Sequence, residues 1–191
     1  MSSRSTISAL SPQTWPFSLK WLPPSAYLVG GAVRDALLDR ASDYFDLDFV
    51  LPENAVGTAR ELARQYDAGF VLLDPQRQIA RVVFETGTVD FAQQEGETLE
   101  IDLYRRDFTT NAIAYNPHTE TFYDPLDGRR DLQRRCLRMV ARDNLKDDPL
   151  RLLRAYRQAA QLGFTLEPDT DAAIRQFAPL LGKVAAERVH S

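Results

Sequence analysis

Two aspartates, Asp46 and Asp48, lie in the apolar segment 45–50 and are separated by a single leucine. Apolar residues and carboxylates alternate in this segment, a pattern typical of a half-buried β-strand. On such a strand both aspartates point to the same face, with Cα atoms about 6.5 to 7 Å apart. Carboxylates at this spacing can bind one Mg²⁺ or two neighbouring ions about 3.5 to 4 Å apart. A strand face with two solvated acids is the alternative interpretation.

A glycine turn precedes the aspartate pair. Gly30 and Gly31 follow the short apolar run 27–29, and Ala32 begins a predicted helix. Glycine permits backbone angles that are closed to other residues, and a helix N-terminus presents free N–H groups to an anion. Arg34, in the predicted first turn, could add a charged fork to a phosphate. Glycine pairs also occur in ordinary turns, but together with the aspartates this turn predicts a metal-dependent phosphoryl-transfer site.

Composition limits the class of protein. The chain has 191 residues, 44% hydrophobic and 26% charged, enough for one α/β domain and a smaller helical piece. No apolar run approaches the ~20 residues that cross a bilayer, and the first residues lack a signal-peptide core, so we expect a cytoplasmic protein. One cysteine, Cys136, and two histidines are too few for a Cys- or His-rich metal site. Carboxylates must therefore hold any metal, which favours Mg²⁺.

The net charge of −4 conceals a basic stretch. Residues 129–157 contain ten basic and four acidic side chains, a local charge of +6, and the rest of the chain carries −10. A basic block beside an acidic metal site suits an enzyme that handles polyphosphate or nucleic acid. A solvated, salt-bridged helix face is the alternative.

Strand and helix patterns alternate from residue 27 to about 142 after a Ser- and Pro-rich arm, residues 1–26. This order predicts an α/β (α+β) fold with a mixed sheet and helices packed on it. Asp90, another acid flanked by apolar residues, is predicted to supply a third carboxylate from a neighbouring strand. From residue 143 onward the pattern becomes helical.

One helix in this C-terminal part is predicted over residues 150–162, with Asp147, Asp148 and Pro149 as its cap and the proline in its first turn, and with Gly163 as its stop signal. Four charged residues recur in it at every third position, so we expect a ridge along one side of the helix. A carboxylate beside a guanidinium can pair with the edge of a base, and further arginines can hold a triphosphate. The ridge consists of Asp148, Arg151, Arg154 and Arg157.

Four segments resemble, in order, the motifs of the class II tRNA nucleotidyltransferases, the CCA-adding enzymes, and of their relatives the bacterial poly(A) polymerases. The resemblance runs from about residue 27 to residue 191. It implies a polymerase-β-like nucleotidyltransferase head, residues 27–142, followed by a helical neck, residues 143–191. Residues 187–191 begin a fifth motif that continues further in the family, which implies a truncated chain that extends tRNA poorly by itself. The four segments are 28–48, 105–114, 124–132 and 148–157.

The resemblance implies template-independent nucleotidyl transfer to RNA. Asp46 and Asp48 would hold two Mg²⁺ ions, and Asp90 would complete the metal site or assist proton removal. Asp107 is either a further ligand or a helix cap, and Asn111 is either a ribose contact or structural. The nucleotide would be bound by Gly30, Gly31, Arg34, Arg106, Asp148, Arg151, Arg154 and Arg157.

The expected reaction is addition of C, or of CCA, to the 3′ end of tRNA from CTP and ATP, with release of pyrophosphate. Only residues 91–104 separate Asp90 from Arg105, too few for the flexible loop of many CCA-adding members, and this resembles the CC-adding branch. A poly(A) polymerase or an A-adding enzyme is the enzymatic alternative. The non-enzymatic alternative is a nucleotide- or RNA-binding module without turnover, although such a module has no need of the aspartate pair. The expected partners are tRNA and nucleoside triphosphates, without DNA or a membrane.

Overall fold

The computed structural model describes residues 9–40 and 44–183, which form two compact units. The first unit runs to Asp102 and includes Ile113–Tyr123, and the second comprises Leu103–Ala112 and the residues from Asp124 onward. The domain boundaries predicted at 26/27 and 142/143 stay predictions. The segment interpreted as a fifth motif, residues 187–191, lies outside the described residues.

The first unit contains a seven-stranded sheet with the strand order β3-β4-β5-β2-β1-β6-β7. Strands β2 and β5 pair in parallel, and the other neighbouring pairs are antiparallel. The predicted mixed sheet with helices is therefore confirmed. In chain order the elements are β1 (Tyr27–Val29), α1 (Gly30–Leu37), β2 (Phe45–Leu51), α2 (Ala55–Gln65), β3 (Gly69–Asp74), β4 (Ile79–Phe84), β5 (Gly87–Gln93), α3 (Leu99–Tyr104), β6 (Ala114–Asn116) and β7 (Thr121–Tyr123).

The two faces of the sheet differ because apolar and polar residues alternate along β2. Phe45, Leu47 and Phe49 are buried on one face, where helix α2 packs against β4 and β5. The N-terminal segment covers the same face, with the rings of Trp15 and Phe49 5.5 Å apart. The aspartates between the buried residues lie on the opposite face, as the period-two pattern predicts.

Helix α1 starts earlier than the sequence pattern predicts. It begins at Gly30, whose φ of 73° is accessible to glycine at little cost, so the strand passes directly into the helix. Arg34 consequently lies in the last turn of α1, and the prediction that it lies in the first turn was wrong. Strands β6 and β7 were not predicted, because three residues each are too few to show a periodicity.

The second unit is mainly helical. Its core is formed by apolar side chains that include Phe108, Leu137, Leu145, Leu152 and Ile174. The short strands β8 and β9 pair in parallel. The elements are α4 (Gly128–Gln133), β8 (Cys136–Leu137), α5 (Arg142–Asp147), α6 (Leu150–Leu162), β9 (Thr165–Leu166) and α7 (Pro168–Phe177).

Helix α6 begins and ends as predicted. Gly163 follows it with a φ of 66°, which confirms the stop signal. Asp148 lies before the helix in an extended conformation, with φ −132° and ψ 96°, because the proline at 149 disfavours helical angles at the preceding residue. Asp148 therefore lies in the predicted cap segment, where its Oδ1 accepts a hydrogen bond from the N–H of Leu150, and the helix that follows carries Arg151, Arg154 and Arg157.

None of the helices in residues 9–40 and 44–183 is both long enough and apolar enough to cross a membrane.

Candidate functional site

The open face of the sheet carries the aspartate pair. Asp46 is exposed and Asp48 is half-buried on β2, and the parallel register places Thr88 beside Asp46 and Asp90 beside Asp48. The hydroxyl of Thr88 donates a hydrogen bond of 2.7 Å to Oδ1 of Asp46. Thr88 is a site residue that sequence reasoning missed. The available signal was its position two residues before Asp90, which puts both side chains on one face of β5.

Asp90 is held by an arginine from the neighbouring strand. Arg81 lies directly opposite Asp90 in the β4–β5 register, with its Nε 2.7 Å from Oδ1 and its Nη2 2.8 Å from Oδ2. Hydrogen bonding to Asp90 raises the pKa of the Arg81 guanidinium, partial burial opposes this, and the charges of Asp90, Asp46 and Asp48 add to the rise. Arg81 is therefore a permanent positive charge on the carboxylate face, and it too was missed.

The donor atoms at this face fit a magnesium ion held by two carboxylates. Asp46 and Asp48 offer hard oxygen donors on the same side of one strand, and Mg²⁺ is usually bound by one or two carboxylates together with substrate phosphates. Among the described residues, no three acidic, histidine or cysteine side chains are grouped so that they could hold a metal ion. A ligand role for Asp90 stays a prediction.

The glycine turn brings Arg34 close to the start of α1. The guanidinium of Arg34 lies about 3.5 Å from the position that a Cβ on Gly31 would occupy. Its Nε and Nη2 donate to the two carboxylate oxygens of Asp35, at 3.0 and 2.8 Å, and its side chain is 14% exposed. The fork predicted to bind phosphate is therefore positioned beside the helix N-terminus, but it is already engaged by a carboxylate.

In the second unit, Asp107 is the centre of a buried polar network. Its Oδ1 accepts hydrogen bonds from the N–H of Phe108, at 2.8 Å, and from Nδ2 of Asn111, at 3.0 Å. Its Oδ2 lies 3.0 Å from Nη2 of Arg154. Asn111 also donates to Oε1 of Gln158 at 3.1 Å. The two roles predicted for Asp107 and the two predicted for Asn111 stay predictions.

Arg151 fastens α6 to the segment that contains Arg105 and Arg106. Its Nη1 donates to the carbonyl oxygens of Arg105 and Asn144, at 2.9 and 3.1 Å, and Asn144 donates to the carbonyl of Arg106. Asp148 accepts a hydrogen bond from the N–H of Leu150 at 3.3 Å. Residues 105–112 of one motif singled out in the sequence and residues 148–157 of another therefore lie in the same compact unit.

We expect Asp107→Ala to lower the free energy of unfolding by about 1–3 kcal/mol, because the buried N–H of Phe108 and the amide of Asn111 lose their acceptor. Urea denaturation at neutral pH measures this effect. Arg154→Ala is the matched control and should cost less, since Asp107 keeps two of its donors. An equal loss in both variants would contradict the network.

Comparison with known proteins identifies the family. The model of the "Poly A polymerase head domain" matches residues 26–138, and the model of the "Probable RNA and SrmB- binding site of polymerase A" matches residues 163–191. The CC-adding tRNA nucleotidyltransferase of Synechocystis sp. is 63% identical over 179 residues, which cover 94% of this chain and 43% of that relative. The A-adding tRNA nucleotidyltransferase of Deinococcus radiodurans is 48% identical over 82% of this chain and 35% of its own length.

Solved structures show the same fold. A tRNA nucleotidyltransferase complexed with a primer tRNA and an incoming ATP analogue matches with a TM-score of 0.75 and 34% identity, over 86% of this chain and 50% of that one. Compared with the two curated relatives described above, the chain spans less than half of their length. The resemblance inferred from the motifs and the polymerase-β-like head are both confirmed. On this evidence, the chain belongs to the family of the poly(A) polymerase head domain, together with the tRNA nucleotidyltransferases that it matches.

Proposed function

We propose that the protein containing this chain is a template-independent RNA nucleotidyltransferase that adds C residues to the 3′ end of tRNA and releases pyrophosphate. The observation that carries this proposal is the aspartate pair on the open face of β2, in a chain 63% identical to a CC-adding relative. The short interval 91–104 also favours CC addition. A cytoplasmic location is part of the same proposal.

Asp46 and Asp48 are the residues that would hold Mg²⁺, with two ions expected. When bound, Mg²⁺ lowers the pKa of an RNA 3′-hydroxyl and neutralises the charge that develops on the departing pyrophosphate. Thr88 fixes the orientation of the Asp46 carboxylate by donating to Oδ1. The N–H groups at Gly30 and Gly31 and the guanidinium of Arg34 would receive the triphosphate.

The second unit supplies the groups that we propose to select the nucleotide. Asp148 and Arg151 would pair with the base, Arg106 would contact the sugar-phosphate, and Arg157 would hold phosphate. Of the guanidinium nitrogens of Arg151, Nη1 is the one that donates to atoms of the described residues, so the N–H groups on Nε and Nη2 can reach a base edge. Arg154 would hold phosphate only by sharing its guanidinium with Asp107.

The contribution of the Thr88 hydroxyl to metal binding can be tested separately from its contribution to the fold. Thr88→Val should weaken divalent-metal binding about tenfold, the lower range for groups that orient a metal ligand, whereas Thr88→Ser should stay near the parent because it keeps the donor. Titration of free Mn²⁺ by electron paramagnetic resonance measures the affinity. An unchanged affinity in Thr88→Val would show that the hydrogen bond to Asp46 does not matter for metal binding.

The function itself is tested with labelled nucleotides. The complete gene product is incubated with tRNA that lacks its terminal CCA, and with tRNA that ends in CC, in the presence of labelled CTP, ATP or UTP. Two C residues on the first tRNA and nothing on the second support the proposal. Addition of A to the tRNA ending in CC would favour the A-adding alternative, which the Deinococcus relative motivates. Nucleotide binding without incorporation would indicate a binding module. The 191-residue chain alone should bind CTP and extend tRNA poorly.

A further inference from the structure

Five charged or polar side chains share the carboxylate face of three neighbouring strands. The registers place Arg81 opposite Asp90 and Asp90 opposite Asp48, so these three form one row across β4, β5 and β2. Asp46 and its partner Thr88 form the next row. Since adjacent strands are about 4.8 Å apart, the Cα atoms of Arg81 and Asp48 are about 10 Å apart. The Arg81 guanidinium therefore interacts with the charges of Asp90, Asp46 and Asp48.

The Arg81–Asp90 pair has the geometry of a strong interaction. It is bidentate, with both carboxylate oxygens engaged at 2.7 and 2.8 Å, the fork-to-fork arrangement that arginine favours. The Asp90 side chain is 17% exposed and that of Arg81 is 39% exposed, so the pair is only partly screened by water. An ion that recruited Asp90 as a ligand would have to compete with this guanidinium.

We propose that Arg81 is a positioning residue that withholds Asp90 from the metal and so keeps the affinity of the nucleotide-free site for divalent cations low. This inference rests on the magnesium site of the proposed function. Without its guanidinium partner, Asp90 would add a carboxylate that attracts a cation before any nucleotide arrives, because opposite charges a few ångströms apart interact strongly at a partly buried site. With Arg81 in place, the metal enters mainly together with the triphosphate, whose phosphates complete its ligand set.

The charge argument predicts an order of Mn²⁺ affinities among variants of Arg81 and Asp90. This order would not be expected if Asp90 were simply a metal ligand. Mn²⁺ is titrated into the 191-residue chain without nucleotide, and the free ion is measured by electron paramagnetic resonance. Arg81→Gln should bind Mn²⁺ about tenfold more tightly than the parent. Asp90→Asn should bind it about tenfold more weakly, because the charge of the Arg81 guanidinium is then no longer neutralised by Asp90 and repels the cation. The double variant, R81Q with D90N, should return to within about threefold of the parent, because a neutral pair has been replaced by two neutral amides.

Arg81→Lys is the conservative control, which keeps the charge and should stay near the parent. CTP should tighten Mn²⁺ binding more in the parent than in Arg81→Gln. Equal weakening in Asp90→Asn and in the double variant would make Asp90 a metal ligand and overturn the inference, and so would an unchanged affinity in Arg81→Gln. If Arg81→Gln fails to fold, the comparison of Asp90→Asn with the double variant still distinguishes a positioning role of Arg81 from a ligand role of Asp90. Absence of Mn²⁺ binding both by the parent with CTP and by Arg81→Gln would instead refute the metal site, and failure of nucleotide incorporation would refute the proposed function.

Discussion

Replacing Asp46 or Asp48 by alanine is expected to reduce nucleotidyl transfer by at least about a hundredfold, because stabilisation of the developing charge is usually the largest single contribution to catalysis. Both carboxylates lie on the open face of β2, where neither packs in the apolar core. The fold should therefore survive the change. Single-turnover incorporation of CTP into tRNA measures the effect in the complete gene product.

Two controls separate loss of the metal from loss of the fold. Glu53→Ala removes an exposed acid from the turn that follows β2 and should leave transfer unchanged. The urea midpoints of the Asp46 and Asp48 variants should stay close to that of the parent. A rate of nucleotidyl transfer above about a hundredth of the parental rate in either variant would contradict the proposal that both carboxylates hold the metal.

Replacing Asp148 and Arg151 together by alanine is expected to erode the discrimination between CTP and UTP. If these side chains read the base by hydrogen bonding, a wrong base leaves a buried polar edge unpaired, at a cost of about 1–3 kcal/mol, which is about 5- to 150-fold. Binding of the shared triphosphate should fall less, because Arg34, Arg154 and Arg157 remain. The measurement is the ratio of kcat/KM for CTP to that for UTP, and for ATP, in the complete gene product.

Arg157→Ala is the matched comparison on the same helix. Arg157 is exposed on α6, and in the proposal it meets only phosphate, so its loss should lower kcat/KM for every nucleotide by the same factor. Because Arg151 also donates to the carbonyls of Arg105 and Asn144, the stability of the double variant must be measured as well. A CTP-to-UTP ratio that does not change while all activities fall would mean that the base is selected elsewhere.

The sequence alone determined those features of this protein that depend on local periodicity. The alternation in residues 45–50 predicted that Asp46 and Asp48 share one face of a strand, because successive side chains on a strand point to opposite faces. Gly163 predicted the end of α6, because a left-handed residue after a helix is accessible to glycine. The resemblance of four segments, in order, to the motifs of a known family also predicted the family, which the comparisons confirm. These properties are encoded by residues that are close together in the chain.

Only the tertiary structure decided which side chains become partners. The pairing of Arg81 with Asp90 depends on the register between β4 and β5, and the hydrogen bond from Thr88 to Asp46 depends on a parallel pairing between residues 42 positions apart. The engagement of Arg154 by Asp107 likewise joins α6 to a distant segment. A sequence pattern shows which face of an element a residue occupies, but the partner across that face is set by strand register and helix packing, which are properties of the folded chain.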